Sequence, residues 1–420
     1  LVLTQSRVRS GTALQDRWVE LRSTKDGTLL QTWPGSPDMD EVRFTPTGNR
    51  LSFVTRDHDE GTTSLWAVEL QGGAARELVS GIENWAGYHW SPTGDTVIIS
   101  TTEDPKENTS GIKRLRGLLD RMAGHRSVTR LHQVSVSSGI QRRLTGGPVS
   151  SSVAAVSPDG KRLLVTREVE DLSRRPYSRQ ELWEIELATG SAEKLRDFRW
   201  LSGIQFAPDG RRLLILAGPS EFGATGVVVA GDGPVNDFDG QLFIWDPETD
   251  AVESITRDFH PSVTRAVWNS YDGHIYLLAV DGHYLRVFSF EPENQNMSRV
   301  ETEIESVSSF EVARSSSTLV LSGTSVWQPQ QLAVIDEPGT VARPILEPGA
   351  RRFANVRQGE VKHWDFTATD GRAIVGRVYL PPSFDAGKRY PGIVNYYGGT
   401  SPMNRSFGGR YPAEWWAANG

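Results

Sequence analysis

Close to its end the chain reads RYPGIVNYYGG, from Arg389 to Gly399. Ile393, Val394, Asn395, Tyr396 and Tyr397 read as a buried strand, and Gly398 and Gly399 follow at once. A strand that stops on paired glycines is a common rim for a catalytic pocket, because glycine lets the backbone turn tightly beside a substrate. Adjacent strand residues face opposite ways, so at most one of Tyr396 and Tyr397 points into a site; the plainer reading is that both pack. A serine nucleophile for such a rim would sit in Gly-x-Ser-x-Gly. No serine does: Ser401 has Gly399 but Met403, and Ser325 has Gly323 but Trp327. The chain has no cysteine, which removes thiolate nucleophiles, disulfides and Cys-ligated zinc.

Other chemistry-bearing residues are acidic. Glu168, Glu170 and Asp171 lie in REVEDLSRRPYSRQE, and Glu103 with Asp104 opens a long insert. Asp232, Asp237 and Asp239 could gather round a calcium ion, but their spacing is not that of an EF-hand loop, so a solvated turn-rich loop is expected and no metal. The glycines of AGDGPVNDFDG do not keep the register of a dinucleotide loop, and no cofactor is expected.

Across the whole chain, 45 basic against 52 acidic residues leave a net charge of −7, which argues against nucleic acid as the partner. No apolar run approaches the ~20 residues of a membrane span. The chain begins at Leu1 and ends in WWAANG, so both ends read as cut. Neither compartment (periplasmic or secreted against cytoplasmic) nor oligomeric state has a signal in the sequence.

The elements that must hold the rim follow from internal repetition. RFTPTGNRLSFVTR, HWSPTGDTVIISTT, AVSPDGKRLLVTRE and QFAPDGRRLLILAG are copies of one motif. VWNSYDGHIYLLAV is a looser fifth, and FEVARSSSTLVLSG is a sixth that has lost its glycine. The turn glycines fall at 48, 94, 160, 210 and 273, spacings that mean stacked repeats with inserts. Each unit reads as a tight turn, an apolar strand, an alternating strand such as SLWAVEL or ELWEIEL, a second turn and a last short strand. Four antiparallel strands per repeat make a propeller blade; a two-sheet sandwich does not explain the recurring motif. RWVELRSTKDGTLLQTW supplies the outer half of a further blade, giving about seven. Trp66, Trp183 and Trp245 fall at equivalent third-strand positions and are expected to pack between blades.

Two inserts stretch the repeats, near 103–130 and 218–240. In the first, Ile112, Leu115, Leu118, Leu119 and Met122 recur at helical spacing between Ser110 and Gly124, so an amphipathic helix with a basic outer face is expected, either packed on the rim or serving as a lid. The pattern of residues 1–350 resembles the propellers of periplasmic scaffold proteins and of the dipeptidyl-peptidase and prolyl-oligopeptidase group. It is less similar to WD-type repeats, Trp245-Asp246 being the one Trp-Asp pair within residues 1–350.

After Glu347-Pro348-Gly349 the periodicity changes. Two strands, about Val361–Thr367 and Ile374–Leu380, are joined by Asp370-Gly371 as a hairpin, and PAEWWAAN reads as a short helix entered by Pro412. The order Asp-Gly, strand, Tyr-Leu-Pro, spacer, Tyr-Pro, strand, Tyr-Gly-Gly resembles the start of the prolyl oligopeptidase catalytic domain, an α/β-hydrolase, over residues 359–420. The fold expected is therefore mainly β: a propeller over 1–350, its first blade incomplete, then the truncated start of an α/β-hydrolase.

By that resemblance Tyr397 is the hydroxyl donor of an oxyanion hole, with Gly398 and Gly399 as the loop beside the substrate carbonyl. The family pattern often has proline next, where this chain has Thr400. In this fold nucleophile, acid and histidine come later in the chain, so all three are expected beyond Gly420; His363 precedes the third strand. The resemblance implies a serine peptidase that cleaves short peptides through an acyl-enzyme, inactive in this 420-residue form, with a protease-sensitive tail after about Gly359. In dipeptidyl peptidases propeller glutamates hold the substrate's amino end, and Glu168, Glu170, Asp171, Glu103 and Asp104 are possible equivalents. The alternatives are a non-catalytic binding propeller, and an esterase or acylaminoacyl-type hydrolase on the same fold.

Overall fold

The computed structural model describes residues 1–8, 15–33, 39–105, 111–112, 115, 117–122, 124–228, 235–396, 404–409 and 411–419. The chain divides into two units, Leu1–Arg257 and Asp258–Gly420.

In the first unit the opening sheet has three strands, Val2–Val8, Gln15–Arg22 and Leu29–Trp33. Four sheets of four strands follow. They comprise Asp40–Phe44, Arg50–Asp57, Thr62–Glu69 and Arg76–Glu83; Trp85–Trp90, Thr96–Glu103, Val128–Ser135 and Gln141–Arg143; Ser152–Val156, Arg162–Glu170, Ser178–Glu186 and Ala192–Phe198; and Leu201–Phe206, Leu213–Ala217, Gln241–Asp246 and Ala251–Ser254. Within each, strands pair antiparallel in chain order, the meander of a propeller blade.

The second unit holds two more such blades. One is Ser262–Trp268, Ile275–Asp281, Tyr284–Glu291 and Asn296–Arg299; the other is Ser306–Val312, Leu319–Ser325, Gln328–Ile335 and Arg343–Leu346. A single parallel pair, Leu285 with Ser306, links them. Among the described residues one three-stranded and six four-stranded blades make seven.

Local chemistry explains the repeat. Glycines 48, 94, 160, 210 and 273 all sit at positive φ, between 70° and 77°, where side chains are strained. The Gly160 amide donates to Ser157 O at 2.8 Å, and the Arg162 amide to Ser157 Oγ at 2.9 Å. The sixth repeat, without glycine, closes its turn through Ala313 N to Thr318 O at 2.9 Å, braced by Ser316 Oγ on Thr318 Oγ1.

One device has no sequence signature. In each four-stranded blade the first two strands slip register once, at Asp40/Arg43, Trp85/Gly87, Val153/Ala155, Leu201/Gly203, Val263/Arg265 and Val307/Ser309. Such bulges sharpen the local twist of the bulged strand.

No blade of this size buries its own faces, so consecutive blades share cores. Leu164, Leu182 and Phe198 pack with Ile215, Phe243 and Trp245 of the next blade. Val54, Leu65 and Ile82 pack with Tyr88, Val97 and Ile99. In the second unit Tyr276, Leu278 and Val287 meet Val307, Phe310 and Leu321. Each fully buried Leu, Ile or Phe contributes about 1.5–3 kcal/mol. An arginine also rides on the next blade in both units. Arg43 lies 4.5 Å over the Tyr88 ring and donates to Tyr88 O at 2.6 Å; Arg265 lies 4.8 Å over Phe310 and donates to Phe310 O at 2.6 Å.

Three expectations are corrected here. Trp66 and Trp183 stand opposite Phe53 and Val165, five residues past their turn glycines, but Trp245 stands opposite Leu213, three past Gly210. Trp245 is thus two residues out of register on the same face, and Phe243 is the true equivalent. Trp245 does pack between blades, edge-on to Phe198 at 5.9 Å.

Second, the described part of the first insert is no amphipathic helix. It forms one 3-10 turn, Leu118–Arg121, entered from an extended Gly117, and Ile112, Leu115, Leu118, Leu119 and Met122 are all exposed. A short helix is marginal unless its apolar face is packed, and this face has no cover among the described residues. Ser110 lies outside the described residues.

Third, residues 391–396 form no strand, and Ile393, Val394 and Tyr396 are 68, 80 and 85% exposed. A strand exists through its ladder partners, and among the described residues no segment pairs with this one.

Candidate functional site

The site built by the tail starts from a hairpin. Asp370-Gly371 makes the turn, with Gly371 at φ +84° and its amide on Ala368 O at 2.9 Å. Trp364-Asp365 and Val375-Gly376 interrupt the ladder, leaving Phe366–Thr367 on Ala373–Ile374 and Val361–His363 on Arg377–Tyr379. At the far end Ala413–Ala418 is helical directly after Pro412, as its sequence predicts.

Between hairpin and helix, the segment 404–407 is fastened to the last two blades and the link between them. Arg405 is only 8% exposed, and its Nε and Nη2 both reach Glu305 Oε1, at 2.8 and 2.7 Å. Glu305 Oε2 also accepts from Val326 N at 2.9 Å, so the carboxylate is fixed from both sides. The Glu305 amide donates to Ser325 Oγ at 3.2 Å, and that hydroxyl donates to Glu303 O at 2.8 Å. Ser325 is therefore a structural brace.

The backbone of the segment is held as well. Arg405 N donates to His283 O at 2.9 Å, and Phe407 N to Thr324 Oγ1 at 3.2 Å. The Phe407 ring meets Phe353 edge-on at 5.1 Å, and Arg377 Nη2 donates to Asn404 O at 2.8 Å.

Electrostatics follow from this packing. His363 stacks on His283 with ring centroids 5.3 Å apart. Burial, then the positive charges of Arg377 and Arg405 and the neighbouring His363, hold the His283 imidazole below its ordinary range. Burial pushes the Tyr379 phenol and the Glu414 carboxyl up. His363 is thus the tail's own contact on the blade, stacked on His283.

Tyr397, Gly398, Gly399, Thr400 and Ser401 lie outside the described residues. Asp232 does too, while Asp237 Oδ1 accepts from Ser220 N and Oγ at 2.8 and 2.6 Å, a loop brace. Among the described residues no group of three or more His, Asp or Glu could hold a metal ion.

The acidic candidates scatter. Glu168 and Glu170 are exposed along one strand. Asp171 is bound by Ser173 Oγ and by the Arg199 guanidinium, in that order the causes that hold its carboxyl well below the usual range. Asp104 accepts from Ser127 Oγ at 2.5 Å. Glu103 alone lines a recess, of about 370 Å³, with Glu83, Asn84 and His132.

Sequence reasoning passed over Arg405 and Glu305. They sit 100 residues apart and no spacing rule joins them; the one available signal is an arginine in PMNRSFGG, so soon after the paired glycines.

No protein-family profile matches the chain. It is 26% identical over 169 residues to the uncharacterized peptidase YuxL of Bacillus subtilis (strain 168), a match that takes in 36% of this chain and 25% of that protein. Its fold matches the acylaminoacyl peptidase of Pyrococcus horikoshii with a TM-score of 0.76 at 14% identity, over 100% of this chain and 62% of that one. It also matches the β-propeller domain of the Trilobed protease of Pyrococcus furiosus, TM-score 0.58 at 12% identity, over 84% of this chain and 94% of that one. A structure from a study of two prolyl endopeptidases matches with TM-score 0.59 at 13% identity, over 89% and 52%. The chain thus spans a quarter of the curated relative and about three fifths of the acylaminoacyl peptidase. It is similar to peptidases of the prolyl oligopeptidase group, as its tail motif resembles them, and its repeats are those of a β-propeller.

Proposed function

We propose that this chain is the propeller and the leading edge of the catalytic domain of a serine peptidase that hydrolyses short peptides. The observation that carries the reading is the match to an acylaminoacyl peptidase over the whole chain, tail included, while 62% of that enzyme is covered. The serine, the acid and the histidine belong to sequence after Gly420, and the 420-residue chain alone is inactive.

In the mechanism, the serine attacks the scissile carbonyl while histidine takes its proton, an acyl-enzyme forms, and water releases the acid. Tyr397 donates its phenolic O–H to the oxyanion as charge develops, and Gly398 and Gly399 give the backbone room beside it. The propeller limits access to short, unfolded substrates. Peptide is the partner, and the chemistry calls for no metal or cofactor.

A second reading is favoured by the same match: an acylaminoacyl-type specificity, in which the amino end of the substrate is blocked. One experiment tests both. A gene product extending beyond Gly420 is given proline- and alanine-linked chromogenic peptides, each with a free or an acetylated amino end, together with simple esters. Peptide cleavage, with covalent labelling of one serine by a fluorophosphonate, supports the peptidase. Preference for acetylated peptides supports the second reading. Absence of a labelled serine from the extended product overturns both and leaves a binding propeller.

A further inference from the structure

We infer that the open edge of Val2–Val8 is a strand acceptor, and that its occupant is the stretch of this chain directly before Leu1, laid antiparallel as the first strand of the opening blade. The other six blades have four strands each, and the opening one has three. Register tells which strand is lacking. In all six four-stranded blades the first two strands slip once, whereas Val2–Val8 pairs with Gln15–Arg22 without a slip. The next pair, Gln15–Arg22 with Leu29–Trp33, slips between Leu21 and Arg22, as third and fourth strands do in three other blades. Val2–Val8 is therefore a second strand without a first.

Three landmarks fix where that first strand attaches. Second strands begin two residues past glycines 48, 94 and 160, at Arg50, Thr96 and Arg162, and this one begins at Val2. Trp66 and Trp183 stand opposite the residue five past the glycine, and Trp18 stands opposite Gln5. The amide four residues beyond each tryptophan donates to the residue directly after the glycine: Leu70 to Asn49 O at 3.4 Å and Leu187 to Lys161 O at 2.7 Å, matched by Arg22 to Leu1 O at 2.8 Å. All three put Leu1 in the position of Asn49 and Lys161, so the turn glycine's place falls on the residue directly before Leu1. In the repeat the first strand ends four residues ahead of that glycine, at Phe44, Trp90, Val156 and Phe206.

The edge has the chemistry to receive it. Leu1 N donates to Arg22 O at 3.0 Å and Arg22 N to Leu1 O at 2.8 Å, a mutual pair. Antiparallel alternation then turns the amides and carbonyls of Leu3, Gln5 and Arg7 toward Gln15–Arg22, and those of Val2, Thr4, Ser6 and Val8 away from it. At the position of Val2 the carbonyls of Arg50, Thr96 and Arg162 accept from Thr45, Ser91 and Ser157 amides of the turn before, at 3.0, 2.9 and 2.9 Å. Among the described residues no strand takes the outer edge of Val2–Val8. An edge with neither a proline nor a bulge lacks two of the usual guards against strand addition.

Hydrogen exchange tests this without reference to peptidase activity. In the 420-residue chain the amides of Thr4, Ser6 and Val8 exchange about tenfold faster or more than those of Leu3, Gln5 and Arg7. In the gene product extended upstream of Leu1 the same three amides gain at least that protection. Amides that stay fast in the extended product overturn the inference, as does a mature protein that begins at Leu1. Protection already present in the 420-residue chain, growing with concentration alongside a dimer in sedimentation, assigns the edge to a second copy and overturns it too. Ser6→Pro removes one outward N–H, which an edge strand tolerates and a paired strand does not. In the extended product it restores fast exchange at Thr4 and Val8, and in the 420-residue chain it leaves Leu3 and Arg7 protected. Protection of Thr4 and Val8 that survives the proline overturns strand addition at this edge.

Discussion

A phenol helps a reaction only when its hydrogen bond strengthens as charge builds on the scissile oxygen. The role proposed for Tyr397 therefore has a kinetic signature. Tyr397→Phe in the extended product lowers kcat by about a hundred- to a thousandfold, some 3–4 kcal/mol of barrier, and leaves KM nearly unchanged. Steady-state kinetics on one chromogenic peptide measure this, and an equal rise in KM at constant kcat contradicts it. At this scale the sequence was half legible. Tyr-Gly-Gly at the end of an apolar run carries its own signal, because glycine pairs mark backbone turns. Arg405 carries none: a cation's role depends on which carboxylate the fold brings to it, and Glu305 comes from a link between blades 100 residues earlier. The acidic candidates were hard to rank for a related reason, since exposed glutamates are the default of a solvated strand.

The blade is the element of this molecule, and its turn glycines differ in a way that can be measured. Gly48 and Gly160 share φ +73°, so alanine at either meets the same left-handed strain, about 1–2 kcal/mol. A Cβ at Gly48 meets nothing within 4 Å, whereas one at Gly160 falls 2.6 Å from Ser91 Oγ and 3.0 Å from Thr93 Oγ1 of the preceding blade. Ser91 is fully buried and bonded to Thr93 at 2.8 Å, so turning its hydroxyl aside costs that bond. Gly160→Ala is expected to lower the urea midpoint by more than Gly48→Ala, the excess corresponding to about 1–3 kcal/mol of overpacking. Equal shifts would mean that the turns of neighbouring blades do not bear on each other. The turns were readable from the sequence because glycine is the residue that accepts their φ without strain. The bulges were not, since the slipped positions follow no residue code: Trp85/Gly87 and Val263/Arg265 share no residue type. The stripe Ile112 to Met122 misled because periodicity records what a helix could bury and says nothing of whether a neighbour is there to bury it.

For the whole chain, stability is distributed unevenly, and pH and protease should find the same weak places. The blades share cores across their faces, while the tail hairpin has strands of two and three residues, and isolated hairpins are marginal. Trypsin is expected to cut at the exposed Arg372, Lys388 and Arg389 before any bond inside the strands of the four-stranded blades, as read by mass spectrometry over time; strand cuts that come first would contradict it. The pH response follows from histidine. His89, His132 and His283 are each held below the ordinary imidazole range, first by burial and then by neighbouring arginines: Arg43 at His89, Arg143 at His132, and Arg377 with Arg405 at His283. An unfolded histidine takes its proton near pH 6.5. Between there and the lower folded value the unfolded chain binds protons that the native chain does not, so stability is lost as pH falls through about 6.5. The carboxylates of Asp159 and Asp171 are depressed and lose their contribution only at lower pH, below their unfolded values near 4. Glu414 acts in the opposite sense, because its carboxyl is raised by burial and its protonation on acidification favours the folded tail. The imidazoles act from about pH 6.5 downward, above the carboxylate range in which Glu414 starts, so the urea midpoint is expected to fall from pH 7.5 to about 5.5, and His283→Gln to flatten the slope for the docking of the tail, followed by exchange at Phe407. A midpoint that rises over that interval would show that these imidazoles are protonated in the folded chain, and with them the packing of His363 on His283 beside Arg405 would have to be redrawn.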